Sequence, residues 1–226
     1  MAHIEEENIN RNSIVIFPTS YLPPISYMHQ FVKYRIIYID VFENYIKQTY
    51  RNRCSIYSAN GRLSMSIPVI KTNGNHTKVK NIEIDYSQQW QRMHWRSIES
   101  AYNTSPFFLY YRDELEPFYK KQFKFLIDFN TSILTLIIKL CGLKCEIKFT
   151  EKYAEQTDEI IDFRNKFSAK TKSGEVLSFP HYEQVFNEKH GFIPDLSILD
   201  LLFNEGKFCK KYLEKGIIQS GAKSDI

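Results

Sequence analysis

Glycine and proline are scarce in this chain, eight of each in 226 residues, so a collagen-like, linker-rich or low-complexity architecture is excluded. Cysteine is scarce too. Cys54, Cys141, Cys145 and Cys209 form no CxxC pair, and no His–Cys cluster has metal-ligand spacing, so neither a structural zinc site nor any other metal is expected. Cys141 and Cys145 end an apolar helical pattern and read as buried free thiols. A one-sided charge is lacking: 30 basic against 26 acidic residues leave +4, too mild for a nucleic-acid binder but compatible with a local pocket for an anion. Long apolar runs are missing as well. ILTLIIKLCGL (133–143) falls short of the roughly 20 residues that span a bilayer and contains Lys139. The start, MAHIEEENINRN, does not show the basic-then-apolar pattern of a secretory signal. A cytoplasmic protein without a membrane span is expected. GxSxG, the Walker phosphate loop, GxGxxG and HExxH are all absent, so no nucleophile or cofactor site is marked and no cofactor is expected.

What is present is apolar and aromatic. Hydrophobic residues make up 43% of the chain, with 17 Phe and 15 Tyr, enough for a sizeable core. Ile14 to Phe17 reads as a short buried strand. Pro23 and Pro24 then open a helix that runs to about Tyr34, and IIYID (36–40) reads as a second strand. Strand, helix and strand within about thirty residues form a βαβ unit, whose strand carboxyl ends are available for ligands. Asn60–Gly61 between two alternating runs predicts a hairpin with a type I′ turn. VKNIEID (79–85) predicts a further strand. From Ser87, a plausible N-cap, the period becomes helical, and Trp95, Ile98 and Tyr102 share one stripe. Pro117 opens a long helix, predicted to run through Phe118, Gln122, Phe125, Phe129, Ile133, Leu136 and Leu140. ILDLLFNEG (198–206) predicts a last helix ended by Gly206. The reading is therefore α/β bordering on α+β, as one domain over 13–215. It is sheet-rich at 13–86 and helical at 87–215, between tails at 1–12 and 216–226.

Two stretches are denser in polar groups than packing requires. In ENYIKQTYRNR (43–53), Glu43, Lys47 and Arg51 are spaced by four, which puts them on one side of either a helix or a strand. Arg51, Asn52 and Arg53 offer donors suited to phosphate or carboxylate. The bland alternative is a solvated face with a Glu–Lys pair worth about 0.3–0.5 kcal/mol. In QWQRMHWRSIESAYN (89–103), His94 lies beside Trp95 at the edge of the apolar stripe. A histidine there is either a general base or a hydrogen-bonded boundary residue. His181 and His190 are too far apart to suggest a shared metal site.

LPPISY (22–27), DVFENYIKQTYRNR (40–53), SIPV (66–69) and WQRMHWRSIESAYNTSPFF (90–108), in this order, resemble the WbqC-like family of bacterial surface-polysaccharide and O-antigen gene clusters. The similarity covers roughly residues 14–143, and the stretch from HYEQVF to LLFNEG resembles Bacteroidetes-type members. The family's Trp–x–x–Lys–His–Trp core falls on Trp90, Met93, His94 and Trp95, with Met93 in place of the lysine. Its Tyr–x–Lys–x–x–(Tyr/Phe)–x–Asn–Arg segment falls on Tyr45, Lys47, Tyr50, Asn52 and Arg53. Pro24 stands where an aromatic residue follows the Leu–Pro pair. The resemblance implies work on an activated sugar, by acyl or aminoacyl transfer. Its expected partners are a nucleotide-linked sugar or carrier-linked acyl donor and the enzymes of glycan assembly. On that reading His94 and Glu43 are catalytic, while Lys47, Tyr50, Arg51, Asn52, Arg53, Trp90 and Trp95 hold substrate. The rival reading is a non-catalytic module that binds a glycan precursor or a partner enzyme.

Overall fold

A computed structural model of the chain describes residues 14–157, 159–167 and 175–220, with 175–178 and 217–220 described by backbone alone. Its elements are β1 (Ile14–Phe17), α1 (Ile25–Phe31), β2 (Ile36–Ile39), β3 (Arg53–Ser58), β4 (Gly61–Ser66), β5 (Val69–Ile70), β6 (Glu83–Ile84), α2 (Trp90–Tyr102), α3 (Phe108–Leu115), α4 (Leu126–Leu140), β7 (Glu146–Phe149), β8 (Ile160–Asp162), β9 (Glu175–Ser178), α5 (Asn187–His190), α6 (Ile198–Glu205), α7 (Cys209–Leu213) and β10 (Ile217–Ser220).

The expected βαβ unit is present: β1 and β2 pair in parallel, Ile16 against Tyr38, with α1 between them. α1 is buried along its whole length, so it is a core helix and not a surface one. The parallel sheet then grows on both sides, in the order β7-β2-β1-β8, with every pairing parallel. Two of its four strands therefore come from the half of the chain where helices otherwise dominate. β7 and β8 are only four and three residues long, too short to show a periodicity in sequence. The fold is α/β, with a parallel sheet, antiparallel hairpins and several helices.

Several local expectations shift for identifiable reasons. The hairpin forms, with Tyr57 opposite Arg62, but Asn60 is not among the positive-φ residues and Gly61 alone takes φ +90°. The pairing runs unbroken to Ser58 opposite Gly61, so the two turn residues are Ala59 and Asn60, and without positive φ at either the turn is not type I′. Ser87 does not cap α2. Its N–H donates to Asp85 (2.8 Å), and the helix starts at Trp90. Residues 79–81 form a 3-10 turn, leaving β6 only Glu83 and Ile84. The long helix begins at Leu126 and not at Pro117, because Lys124 and Phe125 are held extended against β6: Ile84 N–H donates to the Lys124 carbonyl, and Glu83 bridges Phe125. A tertiary pairing thus overrides a helical apolar period. Residues 217–220, expected in the trailing tail, pair with β9. The expected tails at 1–12 and 221–226 lie outside the described residues.

The abundant rings are mostly core. Phe17, Tyr21, Tyr27, Phe31, Trp90, Tyr102, Phe129 and Phe203 are all below 2% exposed. Gly206 follows α6 at φ +55°, and a Cβ there would meet the Phe107 ring at 2.6 Å. No helix among the described residues is long and apolar enough to cross a membrane.

Candidate functional site

In an open parallel sheet, the loops at the strand carboxyl ends are where ligands bind. Here those ends supply Thr19 and Ser20 after β1, Asp40 after β2, Thr150 after β7, and Asp162 and Arg164 at and beyond β8. Asp40 is fully buried. One of its oxygens accepts from the N–H groups of Phe42 (2.9 Å) and Glu43 (3.2 Å) and from the Thr150 hydroxyl (3.1 Å), and the other accepts from Arg164 Nη1 (2.6 Å). Arg164 also forks onto Asp162, with Nε at 3.0 Å and Nη2 at 2.7 Å. Its backbone carbonyl accepts from Arg51 Nη2 (3.3 Å), and Arg51 in turn holds Glu43 by a two-pronged bond at 2.7 and 2.5 Å. Two guanidinium groups and three carboxylates thus form one continuous, largely buried network.

The 43–53 segment is neither helix nor strand up to Arg53. It is a loop in which Gln48 takes φ +62°. It is nevertheless folded so that Glu43 and Arg51, eight residues apart, become partners. Residues 41–45 are pinned to 77–80: Lys80 N–H donates to Val41 O (3.1 Å), Val79 N–H to Glu43 O (3.0 Å) and Tyr45 N–H to Thr77 O (2.9 Å). Burial raises the Glu43 pKa, and the bonds from Arg51 offset that only in part. The four predicted neighbours fare differently. Lys47 is exposed. Tyr50 is half-buried, its hydroxyl pushed up to about 12 by burial. Asn52 turns inward and donates to the Ile67 carbonyl (2.8 Å). Arg53 opens β3, with a buried Nε that has no partner among the described residues.

His94 sits in a second, neutral network. It is 6% exposed, its Nδ1 lies 2.9 Å from the Tyr21 hydroxyl, and that hydroxyl lies 3.0 Å from the hydroxyl of Tyr119. Trp90 packs edge-on against the imidazole at 5.2 Å. Burial lowers the His94 pKa to about 4, against a smaller pull upward from the Ser66 backbone, so the ring is uncharged at neutral pH. Trp90 and Trp95, at 1% and 8% exposure, pack on Phe129 and Tyr119 and offer no free face to a ligand.

The structure therefore joins Glu43 to Arg51, and puts His94 in a network of its own. The two networks meet at the β1 exit loop and α4. Tyr21 N–H donates to the Tyr50 carbonyl (2.8 Å) while its hydroxyl serves His94. Asn130 donates to the Arg51 carbonyl (2.8 Å) and Thr19 (3.1 Å), while its neighbour Phe129 packs on Tyr21 and Trp90.

Sequence reasoning missed Arg164, Asp162, Thr150, Tyr21, Tyr119 and Asn130, and used Asp40 only as the end of a strand. An acid closing a parallel strand was the available signal. The others are reached only through contacts distant in sequence. Around the carboxyl edge lie Lys47, Lys78 and Lys80, none of which forms an ion pair among the described residues. Beside them is Tyr153, 52% exposed, with the Arg164 guanidinium 4.9 Å and Lys78 Nζ 5.9 Å from its ring centre. His190 bonds the Ala59 carbonyl (2.9 Å) and His181 stacks on Phe192, which gives both structural surroundings. Among the described residues, no group of three His, Cys, Asp or Glu side chains could hold a metal ion.

The model of the WbqC-like protein family matches residues 19–174, a span that contains every member of both networks. The uncharacterized protein Rv1507c of Mycobacterium tuberculosis is 28% identical over 227 residues, covering 88% of this chain and 96% of that protein. No solved structure matches the chain. With well over half of its residues matched by the family model, the chain belongs to the WbqC-like protein family.

Proposed function

We propose that the chain serves surface-polysaccharide assembly, in the manner expected for O-antigen synthesis, as a transferase that moves an acyl or aminoacyl group onto a nucleotide-linked or carrier-linked sugar. The observation that carries this reading is the convergence of the exits of β2, β7 and β8, at the carboxyl end of the parallel sheet, on one buried ion network, edged by lysines that form no ion pair among the described residues. Arg51 and Arg164 have their donors engaged by Glu43, Asp40 and Asp162, so they fix the loops, and Glu43 acts through Arg51. Contact with the phosphate falls to Lys47, Lys78 and Lys80. Catalysis in this reading runs through Tyr21. The sugar's amine or hydroxyl attacks the carbonyl of an acyl thioester, forming the amide or ester and breaking the carbon–sulfur bond. Tyr21 passes the nucleophile's proton to the neutral His94, and the thiolate leaves and is protonated by solvent.

One observation favours the second reading, a non-catalytic module holding the same ligand. A base whose pKa is about 4 is poorly matched to proton transfer near neutrality, and Tyr21 and His94 are both enclosed. The experiment that separates the two is a screen of purified protein against nucleotide sugars and acyl-thioester donors, followed by transfer assays on His94→Asn. A transferase loses about a hundredfold or more in turnover, the lower end of a general base's contribution, while ligand affinity persists. Full turnover in a folded His94→Asn protein removes the relay, and ligand binding without any transfer establishes the module.

A further inference from the structure

Cys141 and Cys209 are 68 positions apart in sequence, yet their sulfurs lie 3.2 Å from each other. Cys141 caps the C-terminus of α4 and Cys209 is the first residue of α7. Both thiols are buried, at 3% and 0% exposure, and neither belongs to the two networks at the sheet. The sulfurs already lie inside ordinary non-bonded contact. Closing from 3.2 Å to the roughly 2.05 Å of a disulfide brings the two sulfurs together by little more than about 1 Å. Cys54 is buried elsewhere and Cys145 is half-buried, so both serve as internal comparisons. We propose that Cys141 and Cys209 are a covalent modification site, a dithiol built to close into a disulfide that staples α7 to the end of α4.

The oxidant required is a low-molecular-weight disulfide, and the exchange balances in two displacements. One cysteine thiolate attacks the oxidant, forming a mixed disulfide and expelling one small thiolate. The second cysteine thiolate attacks the protein sulfur of that mixed disulfide and expels the other. Two protein thiols are oxidised by two electrons, the oxidant is reduced to two thiols, and the protons pass to solvent. Burial keeps the Cys209 thiol protonated, so the reaction waits on local opening of the short helix α7 and is slow in the cold. The bond closes a long loop, which reduces the freedom of the unfolded chain.

The test uses the full chain and oxidised glutathione, incubated a few degrees below the melting midpoint so that α7 opens. Loss of two hydrogens by intact mass, a peptide map linking 141 to 209, and a melting rise of about 5–10 °C are expected. Cys209→Ser is expected to abolish all three, and Cys145→Ser to leave them unchanged. A link between any other pair, glutathione adducts at 141 or 209 that never resolve, or four free thiols after that incubation overturns the proposal.

Discussion

The two buried polar networks are neighbours with opposite solutions to the same problem. Around Asp40, Glu43 and Asp162 each carboxylate faces a guanidinium. Around His94 there is no counter-charge among the partners, only two tyrosine hydroxyls and the Ser66 backbone, so the cheaper course is to keep the imidazole neutral. Buried acids are therefore matched with arginine, while the buried imidazole is left uncharged. The first network holds the loops of the carboxyl end in place, and the second adjusts a protonation state.

That contrast is broken most severely by removing one partner of a buried pair. Arg51→Ala leaves Glu43 buried without its cation, and a loss of about 3–5 kcal/mol is expected from chemical denaturation. Replacing both partners together, as Arg51→Met with Glu43→Leu, is expected to recover most of it. A small loss in the single variant would show that water reaches the pair.

The second prediction uses pH. His94 has its folded pKa lowered from 6.5 to about 4, so the unfolded chain binds a proton that the folded chain refuses across that interval. Above pH 6.5 both states are neutral and His94 costs nothing. As pH falls through the window towards 4, stability drops, by roughly 3 kcal/mol in all at about 1.4 kcal/mol per pH unit. Denaturation at a series of pH values should show a slope in the wild type that His94→Asn flattens. An unchanged slope in the variant would assign it to other groups whose folded pKa is lowered, among them His29, lowered by burial, and Asp162, lowered against desolvation by its bonds from Arg164. Asp195 and Asp200, whose pKa values burial raises, act with the opposite sign. The smallest effect belongs to Tyr119→Phe. It deletes one neutral hydrogen bond, to Tyr21 (3.0 Å), and is expected to cost about 0.5–1.5 kcal/mol with little change in the pH profile.

How much of this was legible in the sequence follows the distance over which each contact acts. The βαβ unit and the hairpin were visible because strand, helix and turn signals are local. The exact turn was not, since Asn60–Gly61 permits more than one conformation. The start of α4 was misplaced because the apolar period continues through residues that β6 holds extended. Among site residues, the pairing of Glu43 with Arg51 was foreshadowed by their crowding in one segment. Arg164 had no such signal, since Asp40, the acid that commits it, lies 124 residues away. The chemical type of His94 was plain, but its protonation state depends on burial beside Tyr21 and Trp90, against a smaller opposite pull from the Ser66 backbone, which no short motif encodes.

In the proposed transferase the interior arginines frame the site while the rim lysines hold the ligand's phosphate. The most direct test of that arrangement is calorimetric titration of a nucleotide sugar found by the screen into wild type and into the triple variant Lys47→Ala, Lys78→Ala, Lys80→Ala, with melting curves alongside. These lysines make no ion pair among the described residues. Their ring contacts, Lys80 Nζ 3.8 Å over Phe42 and Lys78 Nζ 5.9 Å over Tyr153, are worth only about 0.5–1 kcal/mol each, so the protein should stay folded with a melting point lowered by a few degrees at most. Losing charge-assisted phosphate contacts should weaken binding by at least about tenfold, an effect that shrinks as salt is raised. Equal affinity in the two proteins, with folding intact, would contradict the account.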